Sequence, residues 1–346
     1  MDGVIRSNVD YPTWLEKVRS ELKQGDLSTY DYIWDGARIS PFEEKKLFFH
    51  PTCLKAATPW HIVADINLDL HTNKDLLESL QLGAGYIRLR GQKTDYDWNT
   101  LFQDVHLDWI GIQVDLQSSQ ANDALRKYLV MQKNTGLKGI WWNLPVMVNK
   151  TQGPYFSKFS AFKQLTFNFN HNDIAADLAA YWNHLARSIE SLSLHHDPQQ
   201  LISSVAIDYM PGDDLVLNIC MIRAMRLLWM QLLWSAGLDD HHHPIYISAI
   251  IKNNPDGGKY DHMIRSSALA VGVLMGGVDA LSIEAPERQH QNPAWGIKTQ
   301  YIMREESFFQ QIADPLKGSF VIEGLTKLIV EKVWAEYIKL QEEKIK

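Results

Sequence analysis

From residue 60 onward the chain alternates two textures: short apolar, β-branched runs, and longer stretches whose apolar residues recur at helical spacing. The short runs are 61–68, 86–90, 111–116, 140–146, 165–170, 204–210, 245–251 and 280–285. Helical spacing predicts helices over 74–82, 98–105, 122–132, 174–192, 214–236, 260–275 and 295–312, while the connection 147–163 carries no helical pattern. Strands alternating with helices predict parallel pairing through right-handed crossovers. Eight such units over about 250 residues suit a closed barrel. An open doubly wound sheet is the alternative, but no Gly-x-Gly-x-x-Gly turn follows any of the strands. The expected fold class is α/β, a (β/α)8 TIM barrel with an N-terminal helical arm and a C-terminal extra helix.

The flanks differ from this alternation. Trp14, Val18 and Leu22 fall on one helical face, and Gly25-Asp26 stops that helix; residues 30–52 then mix aromatics with Asp, Gly and Pro and read as an irregular arm. At the other end, Leu325, Leu328, Val333 and Ile338 mark an external helix with a charged tail. The chain therefore divides into an N-terminal helix and arm (1–59), the barrel (60–313) and a C-terminal helical extension (314–346). Asp213-Asp214 suit the start of the helix over 214–236, and Gly237 suits its end. Gly83 and Gly276-Gly277 fit short turns from a helix into the next strand.

Composition narrows the class without changing the fold. Hydrophobic residues make up 45% and charged residues 22%, the balance of a folded globular chain. A net charge of −7 supplies no electrostatic reason to expect nucleic acid. The apolar stretch 215–234 is interrupted by Asn218, Arg223, Arg226 and Gln231, which predicts a helix packed in protein and no membrane partner. The first residues show no basic segment followed by an apolar run, so no signal peptide is expected. Cys53 and Cys220 stand far apart in no metal or redox spacing, which points to a reducing, cytoplasmic compartment. The twelve tryptophans are read first as core side chains.

Three segments carry a resemblance. Residues 13–42 hold a Trp-containing helix, a Gly-Asp break and an arm with a Gly-x-x-Ile-x-Pro-like element; 222–232 hold Arg223, Ala224, Arg226, Leu228 and Trp229 in one helix; and 314–326 read Asp-Pro-x-x-Gly-Ser-x-x-Ile-Glu-x-Leu-Thr. Together they resemble the methylmalonyl-CoA mutase family, and specifically the barrel of its small subunit. The resemblance implies a barrel that holds acyl-CoA with the pantetheine arm along its axis. It also implies a separate domain carrying adenosylcobalamin, and a radical isomerisation of methylmalonyl-CoA and succinyl-CoA at the barrel's C-terminal face. This sequence contains no Asp-x-His-x-x-Gly element that would supply a cobalt-ligating histidine.

Position by position, the resemblance implies a depleted site. The first-strand tyrosine that contacts the substrate carboxylate falls on Asp65, and an anion there repels an anionic substrate. The fourth-strand glutamine falls on Trp142, and residues 144–150 offer no arginine, only Lys150. In the fifth strand His171 would retain the general-acid or hydrogen-bonding position while the neighbouring tyrosine becomes Asn170; a lone histidine at a strand end is more often structural. The eighth strand ends on Glu284 where the resemblance expects a polar neutral contact. After the seventh strand, Asn253 lies in the loop 252–259, whose glycines and lysines suit either a ligand or a surface turn.

Other tempting features are read as structural: His241-His242-His243 and His195-His196-Asp197-Pro198 as loops, and the carboxylates of 208–214 as helix caps, so no metal is expected. The expectation is a small-subunit-like barrel, non-catalytic by itself and binding no cofactor alone, that supports a large, adenosylcobalamin-carrying catalytic subunit as a heterodimer. Self-association stays open as the other partner reading. Two alternatives remain: an active mutase barrel working with a separately encoded cobalamin domain, and a CoA-ester binding module. An open axis lined by small polar residues would favour the alternatives, and bulky inward side chains would not. Trp141, Trp142, Phe167, Phe169 and Tyr209 are the residues on which that turns.

Overall fold

The computed structural model describes residues 10–23, 25–42, 59–132, 136–142, 162–163, 165–169, 174–238, 244–253, 259–286, 292–312 and 314–343. A two-stranded hairpin, β1 (Tyr32–Trp34) and β2 (Ala37–Ile39), precedes the main sheet. The main sheet consists of β3 (His61–Asn67), β4 (Tyr86–Gly91), β5 (Gly111–Leu116), β6 (Lys138–Trp141), β7 (Phe162–Lys163), β8 (Leu165–Phe169), β9 (Val205–Tyr209), β10 (Tyr246–Ile251) and β11 (Ala280–Ile283). Every pairing in it is parallel, in the order β7-β6-β5-β4-β3-β11-β10-β9-β8. One residue separates β7 from β8, so the two form the fifth strand. Its start pairs with β6 and its length with β9, which closes the order into the expected eight-stranded barrel.

The helices are α1 (Tyr11–Leu22), α2 (Asn73–Gln81), α3 (Trp98–Leu101), α4 (Ser119–Met131), α5 (Ile174–Ser193), α6 (Pro198–Ser203), α7 (Leu215–Ser235), α8 (Lys259–Gly276), α9 (Ala294–Glu305) and α10 (Phe320–Glu342). Several starts and stops follow the expected chemistry. The Asp214 carboxylate accepts from the Leu217 N–H and caps α7, and Gly237 follows its end with φ +73°. By length and composition α7 could cross a membrane, but thirteen of its residues are buried within the protein.

Three expectations are corrected. The arm is not irregular throughout: Asp35 and Gly36, at φ +47° and +75°, turn β1 back onto β2, the left-handed pair that a two-residue hairpin loop requires. The segment after His195-His196 is not only a loop, because Asp197 caps α6 and Pro198 occupies its first turn. Two helices are shorter than their patterns: α3 ends at Leu101, shortly before Asp104 turns to φ +59°, and α9 ends at Glu305, before Phe308 at φ +55°. The expected fourth-strand residues beyond Trp142 and the connection up to 161 lie outside the described residues.

The core sits between the barrel and its helices. Ile62, Ile66, Ile87, Leu89, Ile112, Val114, Ile207, Ile247 and Leu281 point outward into that layer. Strand alternation sends the intervening residues inward: Asp65, Arg88, Gln113, Asp208, Ser248 and Ser282, all buried. The usual barrel interior is filled by branched apolar side chains. Here its C-terminal half is polar and charged.

Candidate functional site

The inward residues near the strands' C-terminal ends form one connected network. Arg88, 2% exposed, projects from β4 and meets Asp208 on β9 through two bonds, Nη1 to Oδ1 at 2.8 Å and Nη2 to Oδ2 at 2.7 Å. These are the second and sixth strands of the barrel, so the bond spans its diameter. Nη2 also reaches Asp115 of β5 at 2.6 Å. A second diametral link joins the third and seventh strands, where Gln113 Nε2 donates to Ser248 Oγ at 3.2 Å. The Trp142 ring completes this layer. Its Nε1 donates to Gln113 Oε1 at 3.3 Å, and the Arg88 guanidinium lies 5.6 Å from the ring centroid.

Arg90, one inward position further along β4, serves the rim. It donates through Nε and Nη2 to Asp65 at 2.6 and 2.5 Å, and its Nη1 lies 3.3 Å from Glu284 Oε1. The Asn253 backbone N–H donates to Glu284 Oε2 at 3.1 Å. Of the residues singled out from sequence, Asp65, Trp142, Asn253 and Glu284 are thus gathered at one end of the barrel, whereas Asn170 and His171 lie outside the described residues. The charge of Asp65 is committed to Arg90 and does not stand alone. Trp141, by contrast, points outward and donates from Nε1 to Asn122 of α4 at 2.8 Å. Tyr209 also points outward, its hydroxyl 2.9 Å from Asn218. Phe169 packs in the same outer core, and the side chain of Phe167 lies outside the described residues.

Four carboxylates and two guanidinium groups share this interior, where burial and ion pairing oppose each other. Burial works against a charged Arg88, yet Asp208 and Asp115 hold it well above its ordinary pKa. Arg90 is held up in the same way by Asp65 and Glu284. Burial pushes the Asp208 and Glu284 carboxyls up despite their arginine partners. Because the folded chain then holds protons that the unfolded chain releases, these two groups add stability as pH falls from above their folded pKa toward the ordinary carboxylate range. Glu284→Gln, which fixes the uncharged form, is expected to flatten that part of the pH dependence. Thermal unfolding of both proteins between about pH 8 and about pH 5 checks this; parallel curves would count against it.

Among the described residues of this arrangement the carboxylates are engaged by arginines or backbone N–H groups, with no nucleophile–base pair between side chains. The described carboxylates of 208–214 are engaged: Asp208 with Arg88, Asp213 with Arg265 at 2.8 Å, and Asp214 as a helix cap that also accepts from Tyr32 Oη at 2.5 Å. Among the described residues no group of three or more His, Cys, Asp or Glu could hold a metal ion, while His241–His243 lie outside them. Two described histidines lie by the strands' C-terminal ends: His262, buried with Nε2 3.0 Å from the Glu284 carbonyl oxygen, and His71, whose Nδ1 accepts from the Asn67 N–H at 2.9 Å. Burial keeps His262 from ligating the cobalt of a corrin.

Sequence reasoning missed Arg88, Arg90, Gln113, Asp115 and Ser248 as members of this site. A signal was present in the period-two alternation of Tyr86-Ile87-Arg88-Leu89-Arg90 and of Gln113-Val114-Asp115, which puts polar groups on the face opposite the core.

Two sequence comparisons find similarity to methylmalonyl-CoA mutases. The profile described as methylmalonyl-CoA mutase matches residues 205–343. The methylmalonyl-CoA mutase small subunit of Porphyromonas gingivalis is 21% identical over 397 aligned positions, covering 96% of this chain and 63% of that protein. The methylmalonyl-CoA mutase of Escherichia coli is 30% identical over 136 residues, covering 36% of this chain and 18% of that protein. The chain thus spans less than two thirds of the length of these relatives. Among solved structures, dihydropteroate synthase of Yersinia pestis aligns at 10% identity with a TM-score of 0.41, covering 80% of this chain and 98% of that one.

Proposed function

We propose, from the premise that this chain is a small-subunit-like member of the methylmalonyl-CoA mutase family, that its barrel is a non-catalytic partner of a catalytic, cobalamin-carrying large subunit. One observation carries this reading: two side-chain bridges, Arg88 to Asp208 and Gln113 to Ser248, cross the barrel between opposite strands. An acyl-CoA arm running along the axis would have to displace a buried, doubly paired arginine and the Trp142 ring beside it. Breaking such a pair leaves uncompensated charge in the interior, at a cost of about 3–5 kcal/mol, which weak binding cannot offset. The substitutions at Asp65, Trp142 and Glu284 support the same reading, since they replace the substrate contacts that the family resemblance implies. Adenosylcobalamin belongs, on this proposal, to the partner, where it supplies the radical chemistry.

The contribution of this chain is then structural, covering and ordering the large subunit. Co-expression with a large mutase subunit is expected to give a stable one-to-one complex in native mass measurements. Titration of the isolated chain with methylmalonyl-CoA or succinyl-CoA is expected to give no saturable heat. Failure to associate would overturn the partner role, and saturable acyl-CoA binding would overturn the closed axis.

A further inference from the structure

The segment that leads from α9 into the C-terminal extension goes against three local preferences at once. First, Phe308 holds φ +55°, in the left-handed region that glycine and asparagine enter readily and a bulky aromatic does not. Second, apolar side chains stand in water around that turn: Ile302 is 54% exposed, Phe308 55% and Ile312 62%. Third, α9 ends on Glu305 with Glu306 as its C-cap, both exposed, at the end of a helix where the dipole favours cations.

Backbone bonding accounts for the turn but not for its residues. The Ile302 carbonyl accepts from the Glu306 and Ser307 N–H groups at 2.9 and 3.3 Å, which ends the helix, and the Gln311 N–H donates to the Phe308 carbonyl at 3.0 Å. Phe309 then packs against the barrel's outer core. A glycine at 308 would follow the same path without the steric cost. The Phe308 ring is neither required by the turn nor buried by it. The acids are equally unexplained by packing. Glu305 accepts from Arg304 Nε at 3.0 Å, yet that guanidinium is also held 4.4 Å from the Tyr301 ring centroid. Among the described residues Glu306 has no cation within ion-pair distance.

We infer, resting on the proposed pairing with a large mutase subunit, that 302–312 is a surface on which that subunit docks. The partner meets Ile302, Phe308 and Ile312 with an apolar face, and Glu305-Glu306 with a lysine or arginine. One such contact offsets all three local costs. It takes the aromatic and branched side chains out of water, places a cation at the helix end, and gives the strained Phe308 the role of an aromatic anchor. A second copy of this chain fits less well, because about a twofold axis it would present the same patch edged by the same two glutamates.

The test compares the natural chain with Phe308→Gly, first alone and then with the large subunit. Alone, Phe308→Gly is expected to be at least as stable, its unfolding midpoint unchanged or raised by about 2–4 °C, because the strain is lost with little packing. With the large subunit, calorimetric titration is expected to show association weakened roughly tenfold or more. Glu306→Lys is expected to weaken association as well, and added salt to weaken the natural pair. A destabilised Phe308→Gly chain would assign the ring to this chain's own packing and overturn the surface. Association of Phe308→Gly as tight as that of the natural chain would also overturn it, while leaving the pairing of the two subunits standing. No association of the natural chain overturns the pairing and the surface together. Self-association of the natural chain that Phe308→Gly abolishes would move the surface to a second copy and overturn its assignment to the large subunit.

Discussion

Arg88→Met is expected to destabilise the fold by about 3–5 kcal/mol, lowering the unfolding midpoint by on the order of 10 °C. The methionine fills most of the arginine's volume, so the loss is electrostatic. Asp208 would remain 5% exposed and Asp115 nearby, with no cation between them. Two carboxylates so placed either take up protons or draw in water, and both outcomes cost stability at neutral pH. The proof lies in a second variant. Arg88→Met combined with Asp208→Leu and Asp115→Asn removes the charges together and is expected to recover most of the loss, because a buried ion pair is worth little against apolar residues of similar volume. Calorimetric unfolding of the three proteins checks this. A silent single substitution would mean that the bridge across the barrel is not formed in solution, and the closed axis would fall with it.

That experiment also bears on why the interior is charged at all. If the combined variant is as stable as the natural chain and still associates with a large subunit, the network contributes neither stability nor assembly. It is then best understood as one way of filling the barrel axis.

The architecture was legible in the sequence because a barrel repeats one pattern eight times. The alternation of short β-branched runs with helical spacing does not depend on any single residue, so imprecise ends such as 140–146 against Lys138–Trp141 leave the topology intact. The hairpin was not read from the sequence: Asp35-Gly36 carried its turn signal, but aromatic residues on both sides masked the strand alternation. The site was harder to see, for a physical reason. Its members pair across the barrel, and Arg88 and Asp208 are 120 positions apart, a contact that no local periodicity encodes. Matching positions to the substrate contacts that a family resemblance implies singles out Asp65, Trp142 and Glu284. It does not find Arg90, the residue that binds Asp65 and Glu284 together. The same limit applied to the bulky residues: Trp142 turns inward and Trp141 outward, and parity along the strand decides it.

The most recognisable block of the chain, Asp314 to Thr326, takes its meaning from a buried arginine one helix away. Arg223 of α7, 1% exposed, donates to Asp314 Oδ1 at 2.8 Å and to Glu323 Oε2 at 2.9 Å. Glu323 Oε1 in turn accepts from the Gly318 N–H at 2.8 Å, and the Asp314 carboxylate accepts from the Leu316 N–H at 3.3 Å. The motif is therefore a strut that ties α10 to the barrel's helical shell through one guanidinium, with no part of it at either mouth. Burial pushes the Glu323 carboxyl up, so its charge depends on Arg223 and on the Gly318 N–H. Arg223→Met is expected to cost about 3–5 kcal/mol. Unlike the loss at Arg88, it should appear first as local opening, since α10 can detach while the barrel's strand pairing stays intact. Hydrogen exchange over 314–342 is expected to accelerate well before that of β3–β5, and limited proteolysis to cut within the same stretch. Arg223→Lys, which keeps the charge but cannot bridge two carboxylates in one plane, should fall between the natural chain and Arg223→Met. Uniform acceleration across barrel and helix would instead make α10 part of one cooperative unit and refute the strut. A local effect would make this block a support of the helical shell, acting on the docking of α10 and not on the barrel's strand pairing.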